Sequence, residues 1–249
     1  MQELEIDPRR FPPKAFITTI SQAKSQLITP ETYKHTINNY FDEVVQRVYR
    51  QYQVLLDQSH ALDFDDLLMK TYYLFLEHPN ILSKYQSRYL HILVDEFQDT
   101  NITQYALVKK IGGKYRNVCV VGDPDQSIYS WRHADIHNIL NFEKDYPEAK
   151  VVYLEQSYRS TKNILETAHR VISVNQERKE NRLWTDNVIG DPINIVTTVD
   201  EMEEAQFVVA EIEKLCKQRK ARLADCAVMY RTNAQSRALE EAFVRYGIP

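Results

Sequence analysis

Two carboxylates stand side by side at the end of an apolar run, in Leu93-Val94-Asp95-Glu96-Phe97-Gln98-Asp99-Thr100. A hard cation such as Mg2+ takes one or two carboxylates together with phosphate oxygens and water, a role that suits Asp95. The neighbouring Glu96 can orient or deprotonate an attacking water. The same string also reads as a strand-to-helix junction in which Asp99 or Thr100 caps the next helix. A second run, Val120-Val-Gly-Asp-Pro-Asp-Gln-Ser-Ile-Tyr-Ser-Trp-Arg132, turns through Gly-Asp-Pro into Gln126, a neutral group able to bond both a phosphate and a neighbouring carboxylate. Tyr129, Trp131 and Arg132 then put two aromatics and a cation within four residues. Base stacking on aromatic side chains contributes about 1–3 kcal/mol per base and tolerates any sequence. Tyr129 and Trp131 in a core is the competing reading; the polar turn leading into them, with Arg132 adjacent, favours the surface. In the third string, Leu154-Glu-Gln-Ser-Tyr-Arg-Ser160, Arg159 can reach a phosphate as an arginine finger does. Tyr158 can stack on a flat ligand. Alternatively, Ser160 or Thr161 caps the following helix and Arg159 makes a surface ion pair.

The elements that position these groups alternate. Short apolar runs at 91–96, 117–123 and 150–155 read as buried strands, separated by helical stretches at 101–111 and 134–145. Two more strand-like runs, 193–198 and 226–231, alternate with helices near 160–175, 202–219 and 234–246. This pattern predicts an α/β fold with a parallel sheet, whose carboxyl edge is where ligands bind. Upstream the pattern is helical. The first 30 residues, with Pro8, Pro12, Pro13 and Pro30, read as irregular. A long amphipathic helix follows from Thr29-Pro30-Glu31 to about Gln58, and a second runs from Asp63 to Pro79. The boundaries are 1–60, a helical region; 61–155, a first α/β lobe; and 156–249, a second.

Composition restricts the class. Apolar residues make up 43% and charged residues 27% of 249, the balance of an ordinary globular chain. No apolar stretch is long enough to span a bilayer, so a membrane is not an expected partner. Cys119, Cys216 and Cys226 are odd in number and scattered, which points to reduced thiols and a cytoplasmic site; Cys119 and Cys226, in apolar runs, read as small core residues. Net charge is −4, and the excess of acid lies wholly within residues 61–155, around the Asp95–Glu96 motif. An average of this kind does not exclude a local nucleic-acid groove. Only 5 residues are Gly, and the phosphate-loop pattern G-x-x-x-x-G-K-[ST] is absent; its nearest string is Gly112-Gly113-Lys114-Tyr115.

In order and spacing, the three strings resemble motifs II, III and IV of the UvrD/PcrA/Rep-type superfamily 1 DNA helicases. The likeness extends to Ala61-Leu-Asp-Phe-Asp-Asp-Leu67 and Tyr230-Arg-Thr-Asn-Ala-Gln-Ser-Arg237 and covers essentially the whole chain. It implies parts of two RecA-like P-loop NTPase lobes with ATP bound between them, and residues 1–60 as the helical insertion of the first lobe. It further implies Asp95 on Mg2+, Glu96 as catalytic base, Gln126 and Arg159 sensing the γ-phosphate, and Tyr158 packed on the adenine. Tyr129, Trp131 and Arg132 would meet single-stranded DNA, with Arg231 and Asn233 on the same track. The activity implied is ATP-driven 3′-to-5′ translocation on single-stranded DNA and unwinding of 3′-tailed duplexes.

The sequence departs from that pattern in two ways. His133 stands where the family usually has Gly; His tolerates a positive φ better than most residues. His133 and His137 are four apart, but the Glu of a zinc H-E-x-x-H helix is missing. The chain also lacks the phosphate loop, the later arginine-bearing motif and the insertion of the second lobe. It reads as a central slice of a longer helicase, inactive alone as an ATPase and, with its sheet incomplete, prone to self-association. The alternative is a stand-alone, non-catalytic module that binds single-stranded DNA or a partner protein.

Overall fold

The computed structural model describes residues 4–176 and 182–249. Among these the chain is α/β and dominated by helix, with one parallel pair of strands. It divides into two compact units, Met1–Ser157 with Ala168–Thr185, and Tyr158–Thr167 with Asp186–Pro249. No helix among the described residues is long and apolar enough to cross a membrane.

Within the first 30 residues, those from 13 to 25 are helical rather than irregular. Helix α1 (Pro13–Ser25) starts at its second proline, because the first helical position has no use for an N–H and proline presets its φ. Phe16, Ile20 and Ala23 form its buried stripe and pack on Val44, Val45 and Tyr49 of α2 (Tyr40–Gln58). The long helix expected from Thr29 is split. A 3-10 turn covers Thr32–Thr36, the chain extends at Ile37, and α2 begins afresh where the Asn39 side chain accepts the Asp42 N–H. Asp63 caps α3 (Phe64–Glu77) through the Asp66 N–H, and Pro79 opens α4 (Pro79–Arg88) as well as closing α3.

A buried ion cluster joins these helices. Lys24, fully buried at the end of α1, donates to Asp63 at 2.7 Å and stands 2.9 Å from Asp66. Tyr52 of α2 donates to Asp63. Thr103, at the start of α5 (Ile102–Gly112), donates to the carbonyls of Lys24 and Ser25 and so ties the end of α1 to the helix that leaves the carboxylate motif.

Strands β1 (Ile92–Val94) and β2 (Val118–Val120) pair in parallel across α5, with Ile92 opposite Val118 and Val94 opposite Val120. Gly112 ends α5 against β2: a Cβ there would lie 2.6 Å from Val118 Cγ2, so the phosphate-loop-like Gly112-Gly113 is a helix end that needs close approach. Phe97, Tyr105, Phe142 and Tyr146 form the core beneath the pair; the single turn α6 (His137–Leu140) leads to the single turn α7 (Phe142–Asp145), which Phe142 starts and Tyr146 follows. Among the described residues only one face of the pair is covered. Leu93 is 76% exposed and Cys119 is exposed, so Cys119 is not the core residue its apolar run suggested. The period of two that turns Val118 and Val120 inward turns Cys119 out.

The runs 150–155, 193–198 and 226–231 do not form the expected strands. A strand exists only by backbone pairing with a neighbour. Among the described residues these runs have none beyond a single bridge between Gln156 and Trp184. Helix α8 (Lys162–Ile172) follows, and its first N–H groups bond the carbonyls of Val188 and Ile189. In the second unit α9 (Glu201–Lys217) and α10 (Asn233–Tyr246) pack through Ala205, Val209 and Ala242.

Candidate functional site

The carboxylates lie where β1 ends. Asp95 and Glu96 are exposed, and Asp95 Oδ1 accepts the Glu96 N–H at 2.9 Å. Glu96 has φ 49°, in the left-handed region that costs a non-glycine residue of the order of 1 kcal/mol. Such conformers persist only where their surroundings over-determine them. Here the Glu96 carbonyl accepts the Asp99 N–H, the Phe97 N–H bonds the Val121 carbonyl, and Gln98 Nε2 donates to Glu96 Oε2 at 2.8 Å. The next helix is capped by Asn101, which shares a capping box with Gln104; neither Asp99 nor Thr100 fills that place. Asp99 is left beside Glu96, with a buried Oδ1 that has no hydrogen-bond partner among the described residues. Burial, and then the Glu96 charge, push its carboxyl above the usual range.

The loop after β2 is bonded to the loop after β1. Gln98 Oε1 accepts the Asp123 N–H at 3.0 Å, and Gln126 Nε2 donates to Asp123 Oδ2 at 2.8 Å. Asp123 Oδ1 accepts the Asp125 N–H and caps the short turn Pro124–Gln126. Further along, Asp135 donates its N–H to the Thr100 carbonyl, which also accepts from the Asn138 side chain. Asp95, Glu96 and Gln126 therefore belong to one bonded assembly. Gln98, only 1% exposed, joins its halves. Sequence reasoning passed over Gln98. No local pattern signals it, because both its burial and its partner 25 residues away arise from the fold.

Tyr129, Trp131 and Arg132 form an exposed cluster in the same loop. Trp131 is 62% exposed, which removes the core reading for it. The two rings lie 6.1 Å apart, and the Arg132 guanidinium sits 4.6 Å from the Trp131 centroid and 5.3 Å from that of Tyr129. His133, next in line, has φ 67°, a positive value that His tolerates better than most residues. His137 is engaged with Asp135 at 2.7 Å.

Of the residues expected in the second lobe, Tyr158 and Arg159 are exposed at the start of the second unit, where Asn187 donates to the carbonyls of Tyr158 and Ser160. Arg231 and Asn233 are exposed at the start of α10; Gln235 Oε1 accepts the N–H groups of Arg231 and Thr232 and sets that turn.

The donor set can be matched to a cation. Among the described residues no three His, Cys, Asp or Glu side chains converge as a metal cage. Asp95, exposed at the end of β1, is a single carboxylate of the kind that Mg2+ takes together with phosphate oxygens and water.

Comparison with known proteins agrees with these features. The UvrD/REP helicase N-terminal domain matches residues 1–147, and the UvrD-like helicase C-terminal domain matches residues 152–249. The ATP-dependent DNA helicase PcrA of Staphylococcus epidermidis is 52% identical over 244 residues, 98% of this chain and 33% of that protein. The PcrA helicases of Bacillus subtilis and Staphylococcus aureus are 48% and 50% identical, over 100% and 98% of this chain and 34% and 33% of theirs. The chain spans about a third of the length of the curated relatives it matches.

Proposed function

The chain belongs to the UvrD/REP helicase family, and on that premise we propose that it supplies parts of two RecA-like lobes to an ATP-dependent DNA helicase. The reading assigns it 3′-to-5′ movement on single-stranded DNA and unwinding of 3′-tailed duplexes, in the cytoplasm. The observation that carries it is the joining of the two loops. Exposed Asp95 and Glu96 at the carboxyl end of β1 are bonded through Gln98 and Asp123 to Gln126, in the loop that displays Tyr129, Trp131 and Arg132. Asp95 would hold Mg2+, which supplies charge neutralisation on the transferred phosphoryl group. Glu96 orients and deprotonates the attacking water, Gln126 and Arg159 contact the γ-phosphate, and Tyr158 packs on the adenine. Tyr129, Trp131 and Arg132 stack on and neutralise the single strand, and Arg231 and Asn233 hold its backbone. The chain has no glycine-rich nest with a lysine to cradle phosphates, so by itself it turns over ATP negligibly.

The test is a chimera in which this chain replaces the matched third of the Bacillus subtilis relative. It should unwind 3′-tailed but not 5′-tailed duplexes with ATP and Mg2+, and Glu96→Gln should abolish turnover. Unwinding from 5′ tails would overturn the polarity. A chimera that binds single strands but never hydrolyses ATP would favour the stand-alone binding module. For the isolated chain, Mg2+-dependent hydrolysis sensitive to Glu96→Gln would overturn the inactivity.

A further inference from the structure

We propose that Gln98 is a positioning residue that holds the Glu96 carboxylate in its working orientation and couples it to the Asp123–Gln126 turn. The inference rests on the reading of Glu96 as the base. The Gln98 side chain is buried, yet both ends of its amide are used: Nε2 donates to Glu96 Oε2 at 2.8 Å, and Oε1 accepts the Asp123 N–H at 3.0 Å. Only this orientation works. Reversed, Oε1 would face a carboxylate and Nε2 would face an N–H, two repulsive pairings in place of two bonds.

The surroundings are shaped around that amide. Gly122 sits against it, and a Cβ there would lie 2.5 Å from Gln98 Oε1 and 3.1 Å from the Phe97 nitrogen. Glu96 itself is held left-handed, so its carboxylate direction depends on the contacts that fix the turn. From Gln98 the chain of bonds runs through Asp123 to Gln126 Nε2. Gln98 thus gives the carboxylate and the Gln126 amide one shared, rigid support. A shift of the Gln126 turn on meeting a ligand would pull on Asp123, and through Gln98 it would re-aim Glu96.

The test uses the same full-length chimera and measures ATP turnover against ATP concentration, with thermal melting of each variant alongside. Gln98→Glu keeps the shape and the acceptor for Asp123 but sets a carboxylate against Glu96. Gln98→Met keeps the length and removes both bonds, and serves if the first variant folds poorly. Both should lower kcat by about 10- to 100-fold, the usual cost of losing a partner that orients a site group. The KM for ATP should move far less than kcat, since Gln126 keeps its own bond to Asp123 and loses only the support behind that turn. Unchanged kcat in the Gln98 variants, with Glu96→Gln inactive, would overturn the positioning role and leave the base in place. A rise in KM that tracks a fall in melting temperature would overturn it as well, by showing a structural role alone. Intact turnover in Glu96→Gln would remove the base assignment and the positioning role together.

Discussion

Trp131 and Arg132 lie together on the surface, yet the contributions expected of them in strand binding are separable because stacking and charge neutralisation are different physics. An indole 62% exposed has ring face to offer, and stacking depends weakly on salt. Trp131→Ala should weaken binding of a fluorescent oligo(dT) by about 1–3 kcal/mol while leaving its salt slope unchanged. Arg132→Ala should instead lower the slope of log affinity on log salt by about 0.7, one counterion's worth on a single strand. Equal binding by wild type and Trp131→Ala would mean that the ring does not stack. His133 offers a third residue-scale measurement. At φ 67° it bears a backbone cost that glycine does not. Offset by the unfolded-state freedom a glycine adds, His133→Gly should raise stability to denaturant by at most about 1 kcal/mol.

At the scale of elements, Lys24 joins the helices in addition to their apolar stripes. It carries one charge into a site with two carboxylates, Asp63 and Asp66, and its ammonium also lies 5.2 Å from the Tyr52 ring. Burial works to raise the Asp63 carboxyl, but hydrogen bonds from Lys24, the Asp66 N–H and Tyr52 outweigh it and hold that carboxyl below its ordinary value. A carboxyl depressed in the folded state stabilises above its unfolded pKa of about 3.9, and the contribution is lost as pH falls through the folded value. Urea melts should therefore show wild type losing stability below about pH 4. Lys24→Met strands two carboxylates and should cost about 3–5 kcal/mol at neutral pH, part of it recovered on acidification. Equal stability of the two proteins at pH 7 would show the cluster to be energetically idle. What sequence reasoning could reach at this scale was local. The cap at Asp63, the breaks at carboxylates, and α5, α9 and α10 lie near their expected places because each depends on neighbours within a few residues, although α5 is capped by Asn101 and not by Asp99 or Thr100. Helix α1 was missed because prolines that start a helix were taken for breakers. The runs 150–155, 193–198 and 226–231 have the composition of strands, but their state depends on distant backbone that no local pattern reports. The site shows the same division. Asp95, Glu96, Gln126 and Trp131 were legible as types in a spacing, whereas the Gln98 bridge joins residues 25 apart and emerges only in three dimensions.

For the whole molecule, the apolar runs that remain unpaired carry a consequence in solution. Leu93 is 76% exposed on the bare face of the strand pair, Val152 and Leu154 are 66% and 76% exposed, and Ile195 and Met229 exceed 90%. Helix α8 has no buried residue, and Val171 and Val174, on its apolar side and just beyond it, are largely exposed. Isolated surface apolar residues are common in monomers, but runs of this kind are characteristic of surfaces that meet another chain. Strand edges with unbonded N–H and C=O groups add a backbone template for pairing. We therefore expect the isolated chain to self-associate, with an apparent mass that rises with concentration in light scattering. Because the contact is apolar, association should weaken on cooling and persist in salt, unlike the binding of a nucleic-acid strand. Leu154→Lys together with Ile195→Lys should lower the apparent mass without moving the melting temperature, since both side chains already face solvent. A monodisperse monomer across a hundredfold range of concentration, about the span that shifts a dimer by 2.7 kcal/mol of dilution free energy, would contradict this expectation.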